Sequence, residues 1–172
     1  INDEMLQQII EKITFIFKEN VPDVLIFQDY NKGLLTLSLI EQVIAKCKSD
    51  NVFTAVDPKK ANFFAYRGVD LFKPNLNETE QALKFKIEPR LLFDVLDNRF
   101  TLISLSEHGV FISDQQQSLV APTKPRNIVD VCGAGDAVLS ISALALSKKM
   151  TLAETALLAN LAGGNVCERQ GV

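Results

Sequence analysis

The 172-residue sequence has no tryptophan, a single histidine and three widely separated cysteines, Cys47, Cys132 and Cys167. An odd, scattered set of this kind provides neither a disulfide framework nor a zinc-ligand spacing, and a reducing cytoplasm is the expected compartment. There is no run of Lys and Arg, and the formal net charge is −3. Nucleic acid and a membrane surface are therefore poor candidates for the main partner, while phosphorylated small molecules stay open through local basic residues. No apolar stretch reaches the ~18 uninterrupted residues of a membrane span, and no signal peptide is visible. Internal repeats and low-complexity linkers are missing too. What remains, 47% hydrophobic and 23% charged residues, is ordinary globular composition, enough for one domain with a real core.

Hydrophobic periodicity orders the chain. Leu6, Ile9, Ile10, Ile13 and Phe17 recur at helical spacing over residues 3–18. The run Val24 to Phe27 reads as a strand buried on both faces of a parallel sheet, and it ends in Asp29-Tyr30-Asn31-Lys32-Gly33. A second helix carries Leu37, Ile40, Val43, Ile44 and Cys47. A strand from Val52 to Val56 then ends in Asp57-Pro58-Lys59. A third strand, Val69 to Lys73, stops at Pro74-Asn75, and Asn77-Glu78-Thr79-Glu80 has the Asn-x-x-Glu spacing of a helix start. A further helix is expected over 88–97. A hairpin of Phe100–Leu105 and Val110–Ser113 follows, with another strand near Ser118–Ala121, and then two helices over 135–148 and 152–168, the second capped by Thr151 and Glu154. A βαβαβ unit, a hairpin and two helices argue a doubly wound α/β fold, a mostly parallel sheet with helices on both faces. The glycine Gly109 lies in the hairpin turn, and His108 beside it reads as a solvated loop residue. Phe63, Phe64 and Tyr66 read as covering the sheet, not as stacking on a base.

One stretch stands out, Asp130-Val131-Cys132-Gly133-Ala134-Gly135-Asp136, which joins the β-branched pair Ile128-Val129 to an apolar helix. Two glycines let the backbone turn sharply and aim N–H groups outward at a helix start, where anions bind. Asp136 would repel a bound phosphate unless it faces the attacking group and takes a proton from it, as in a kinase. The plainer reading is that Asp136 merely sits in a helix first turn, favoured by the dipole. A Walker A loop is excluded because Asp136 stands where Lys is required. A dinucleotide fingerprint lacks its third glycine, Val138 standing there. In an open α/β sheet, ligands sit beyond the carboxyl ends of the strands. Asp29, Asp57, Asn75, Glu78, Ser104 and Asp136 all lie at or just past such ends, and this convergence favours the functional reading.

The stretch Asp130–Asp136 with its helix, and Pro74-Asn75-Leu76-Asn77-Glu78 before it, resembles the pfkB (ribokinase-like) carbohydrate kinases. Within that family, Asp29–Gly33, Val56–Lys59, Tyr66-Arg67-Gly68 and Asp130-Val131 are similar to the D-glycero-β-D-manno-heptose-7-phosphate kinases. The resemblance implies ATP-dependent phosphorylation of a sugar phosphate, with ATP and Mg²⁺. Asp136 would be the base, and Gly133, Ala134 and Gly135 would hold the phosphoryl group. Asn75, Leu76, Asn77 and Glu78 would form the nucleotide and magnesium element, Glu78 acting through water. Ser104, Ser106, Glu107 and Gly109 would lie beside the nucleotide, Asn160 and Gly163, with Ala159, on the helix walling the adenine, and Asp29, Lys32 and Lys59 toward the sugar. Val131 and Cys132 stand where many members carry Thr, a departure that puts monovalent-cation seating in doubt. Because the family's domain is about twice as long, residues 1–172 are expected to be the C-terminal portion of it, without N-terminal strands and lid. The same gap implies a protein that self-associates as a homo-oligomer, as a dimer, or covers Val24–Phe27 with another segment. The 172 residues alone are expected to lack sugar-dependent ATP turnover. Another pfkB-family sugar kinase, and a non-catalytic nucleotide- or sugar-phosphate-binding module, are the alternatives.

Overall fold

The computed structural model describes residues 1–83, 93, 95–124 and 126–171. Strands β1 (Val24–Gln28), β2 (Phe53–Asp57), β3 (Leu71–Phe72), β4 (Phe100–Ser104), β5 (Val110–Asp114) and β6 (Ser118–Ala121) lie side by side in chain order. The first four run parallel, while β4, β5 and β6 form the antiparallel meander. The described helices are α1 (Asp3–Glu19), α2 (Leu37–Ser49), α3 (Leu76–Leu83), α4 (Ala134–Ser147) and α5 (Leu152–Cys167). The helix expected over 88–97 falls largely outside the described residues, although Leu96 from it is fully buried.

Two apolar layers result from the period-two alternation of the strands. Phe27, Val56, Phe72 and Ile103 face α1 and α2 in one, joined by Phe63 and Tyr66. Phe53, Ala55, Leu71, Leu102 and Ile112 face α4 and α5 in the other. Each large side chain so buried contributes about 1.5–3 kcal/mol. The helices begin where the sequence supplies an acceptor. Asn2 Oδ1 takes the Met5 N–H at 2.8 Å, Thr36 Oγ1 takes that of Leu39 at 3.3 Å, and Thr151 and Glu154 form a reciprocal capping box. Gly163 lets α5 close on α4, because a Cβ there would stand 2.8 Å from Val138 Cγ2.

Several expectations are corrected. β1 is not buried on both faces: Ile26 is 37% exposed and Val24 and Leu25 are half-buried, whereas β2 is buried along its whole length. β1 is the edge strand of the described sheet, and an apolar run by itself does not separate edge from centre. β3 is shorter than Val69–Lys73. The start of α3 lies two residues before the expected one: Asn75 Oδ1 accepts from Glu78 N at 2.7 Å and Glu78 Oε2 accepts from Asn75 N at 2.9 Å. Asn77 instead bonds Gln81 one turn on, at 2.8 Å. Ile128 and Val129 join no strand. They are exposed, and Val129 N and Asp130 N both donate to Cys167 O, at 2.8 and 3.2 Å.

Candidate active site

The carboxyl ends of β1, β2 and β3 and the amino end of α4 meet at one place. Gly133 adopts φ +75° as the N-cap of α4, a left-handed conformation that favours glycine, and no side chain caps the helix. Ala134 N turns back to Val131 O at 3.3 Å. Among the described residues the N–H groups of Gly135 and Asp136 have no acceptor, which leaves an anion-binding turn. Cys132 is exposed beside it.

Directly under this turn lies a charged cluster. Lys73, the residue after β3, has 2% of its side chain exposed, with Nζ 3.2 Å from Asp57 Oδ2. Lys59 Nζ donates to Asp57 Oδ1 at 3.1 Å and to Glu78 Oε1 at 2.6 Å. A Cβ on Gly135 would stand 3.9 Å from both Asp57 Oδ2 and Lys73 Nζ, so the pair underlies the first turn of α4. Burial pulls the Lys59 pKa down, but the Glu78 and Asp57 carboxylates outweigh it and hold the ammonium above its ordinary range. A buried ammonium beneath free amides is a place for phosphate, and the carboxylates next to it are hard oxygen donors.

Asp136 is exposed in the first turn of α4, and its Oδ1 accepts from Gln28 Nε2 at 2.7 Å. In the β1–β2 ladder Gln28 stands opposite Asp57, so the Asp136 carboxylate and the cluster lie at adjoining strand ends. The hairpin turn borders the α3 cap. Ser104 pairs with Asn75 in an isolated parallel bridge, and Ser104 N donates to Pro74 O at 3.3 Å. Ser106 and Gly109 adopt positive φ, +54° and +97°. Glu107 and His108 project outward, with 71% and 78% of their side chains exposed. Leu76 is exposed at the start of α3.

Other expected site residues serve as fasteners. Asp29, 2% exposed, receives Asn31 N at 2.7 Å, Asn62 Nδ2 at 3.0 Å and Tyr66 Oη at 2.7 Å. Its oxygens thus accept three hydrogen bonds from within the protein, at one end of the groove between α1, β1 and α2. Burial, then the Asp29 charge, pushes the Tyr66 phenol well above its ordinary range, which keeps it a donor. Lys32 lies along a largely apolar groove of about 480 Å³ between α1, β1 and α2, whose lining also includes Gln28 and Asp29, and forms no ion pair among the described residues. Asn160 Nδ2 donates to Ala121 O at 2.9 Å and ties α5 to the end of β6. Gly163 is a packing glycine. No local signal in the sequence marks two residues of this cluster, Lys73 and Gln28. Each is a polar residue closing an apolar strand, and alternation from Leu71 and from Ile26 directs both toward α4.

A mostly parallel sheet with its anion turn, buried ammonium and exposed aspartate at the strand ends defines a ribokinase-like fold. The sequence pattern described as pfkB family carbohydrate kinase matches residues 2–172, and the chain belongs to that family. It is similar to the bifunctional protein HldE of Sulfurimonas denitrificans, 37% identical over 87% of this chain and 33% of that protein. HldE of Syntrophotalea carbinolica is 35% identical over 87% of this chain and 32% of that one. In structure it is similar to phosphofructokinase-2 from Escherichia coli in complex with potassium, with a TM-score of 0.83 and 18% identity. That comparison covers 99% of this chain and 58% of the solved one. The chain thus spans about a third of these curated relatives. No helix among the described residues is long and apolar enough to cross a membrane.

Proposed function

We propose that this chain is the nucleotide-side portion of an ATP-dependent kinase whose acceptor is a sugar phosphate, D-glycero-β-D-manno-heptose 7-phosphate, phosphorylated at its anomeric hydroxyl. The observation that carries the reading is Asp136 in the first turn of α4 beside the free amides, with Lys73 beneath them. The γ-phosphoryl group lies against the Gly135 and Asp136 amides, and the Lys73 ammonium offsets charge on its oxygens. Asp136 accepts the acceptor's hydroxyl proton. The hydroxyl oxygen forms the new bond to phosphorus, and the bond from phosphorus to the bridging oxygen breaks, its electron pair leaving with ADP.

The donor set fits a hydrated magnesium ion. Asp57 and Glu78 share the Lys59 ammonium, one-third exposed, at 3.1 and 2.6 Å, and Asp57 Oδ2 also faces buried Lys73 at 3.2 Å, so an ion there would be reached through water. Among the described residues no group of three or more His, Cys, Asp or Glu forms a closed cage, and magnesium on a nucleotide needs only one or two carboxylates besides waters and phosphates. Bound there, the ion would offset phosphate charge, with Glu78 and Asp57 holding it through water. The heptose assignment is supported by the similarity of Asp29–Gly33, Val56–Lys59 and Tyr66–Gly68 to heptose-7-phosphate kinases and by the identity to HldE over most of the chain.

The test is ADP release by the full gene product with ATP, magnesium and a panel of sugar phosphates. The reading requires heptose 7-phosphate to give the highest kcat/KM. A preference for fructose 6-phosphate or an unphosphorylated pentose would replace the heptose assignment with another sugar kinase of the family. Nucleotide binding without turnover on any acceptor would leave a binding module.

A further inference from the structure

The base assigned to Asp136 needs a fixed direction, and the fold supplies it from a distant strand. Asp136 is exposed, and among the described residues a single group engages its carboxylate, Gln28 Nε2 at 2.7 Å from Oδ1. Gln28 closes β1 on the side of Val24, which packs in the layer covered by α4 and α5. Its backbone is held in register opposite Asp57. The bond therefore joins a hydrogen-bonded strand end to the first turn of a buried helix. An exposed carboxylate left free would sample several rotamers, of which one presents an oxygen to the acceptor. A single bond to Oδ1 selects the rotamer and leaves Oδ2 for the proton.

We propose that Gln28 is a positioning residue for phosphoryl transfer, holding Asp136 by Oδ1 so that Oδ2 faces the acceptor hydroxyl. This rests on the reading of Asp136 as the base. Glutamine suits the position for a chemical reason. It is neutral, so it does not protonate the carboxylate or draw it into a full ion pair, and its second N–H and its Oε1 stay free for the acceptor. Asparagine is one methylene shorter and does not span the distance from the strand end.

The test is kinetic and uses the full gene product. Gln28→Leu is expected to lower kcat about 10- to 100-fold, the scale of a misplaced reacting group. KM for ATP should stay within about twofold, because the nucleotide contacts are untouched. Gln28→Asn should show the same split, and it carries the test if the leucine variant fails to fold. In an Asp136→Asn background, Gln28→Leu should cost nothing more, since the carboxylate it directs is gone. A kcat within about twofold of wild type for the folded variants overturns the positioning role and leaves the base intact. So does an equal further loss in the Asp136→Asn background. Turnover retained by Asp136→Asn alone removes the base and the positioning role with it.

Discussion

Replacing Asp57 by Asn should be one of the most damaging single changes to stability in this protein, and the cause is Lys73. Its ammonium is 2% exposed and lies 3.2 Å from Asp57 Oδ2, with no second carboxylate in reach among the described residues. Removing one partner of a buried pair leaves the other charge uncompensated and costs about 3–5 kcal/mol. The reverse change is milder. Lys73→Met leaves Asp57 with Lys59 at 3.1 Å, so the carboxylate stays paired, and a loss of about 1–2 kcal/mol is expected. The Asp57→Asn/Lys73→Met double variant should return to within about 1 kcal/mol of Lys73→Met, because the stranded ammonium is gone. At about 2–4 °C per kcal/mol for a domain of this size, Asp57→Asn should lower Tm by roughly 10 °C. Urea unfolding and thermal melts of the four proteins measure all of this. An Asp57→Asn protein as stable as wild type, or a double variant as unstable as Asp57→Asn, would refute the claim that Lys73 is a buried charge dependent on that carboxylate.

Gly109→Ala should cost at least ~2 kcal/mol in urea unfolding, since φ is +97° and the new Cβ would meet Ala121 O at 2.1 Å. Glu78→Gln keeps an acceptor for Asn75 N and so keeps the cap of α3, but it removes a charge beside Lys59. In a magnesium titration of the rate, its half-maximal concentration should rise severalfold while KM for the sugar phosphate changes little; equal effects on both would count against the assignment. Cys47 is fully buried, and burial, with Asp50 and Asp70, pushes its thiol from 9.0 to about 12. A thiol reagent should label exposed Cys132 in the native protein and Cys47 only after unfolding. The folded pKa being the higher, the stabilisation is complete below the unfolded value. Relative to Cys47→Ala, wild type should therefore lose stability as pH rises from 9.0 to about 12.

Most of the architecture was legible because the signals were local. Helical spacing of Leu6, Ile9, Ile10 and Ile13 marked α1, and the Thr151/Glu154 pair marked the start of α5. The place of Asp136 in the first turn of α4 was legible because it follows two glycines at a helix start. What local pattern does not encode is which face a strand shows and who stands opposite. Val24 to Phe27 reads the same at an edge as at a centre, yet Ile26 is 37% exposed. Asn75 and Asn77 both precede a glutamate by three residues, and the strand end at Pro74, not the spacing, decides which one caps. Asp29 has the chemistry of a substrate ligand, but Tyr66 and Asn62, more than thirty residues away, turn it inward. Lys73 and Gln28 acquire meaning only when α4, whose sequence comes much later, is laid across the strand ends.

The proposed chemistry turns on Asp136 taking the acceptor's proton. Its most direct test is steady-state kinetics of Asp136→Asn in the full gene product with ATP and heptose 7-phosphate. The asparagine is nearly isosteric and can still accept from Gln28, so the fold and the nucleotide site should persist. A kcat lower by about 10² or more, with KM for ATP unchanged, is expected. An Asn variant that keeps most of its turnover would contradict that role for Asp136.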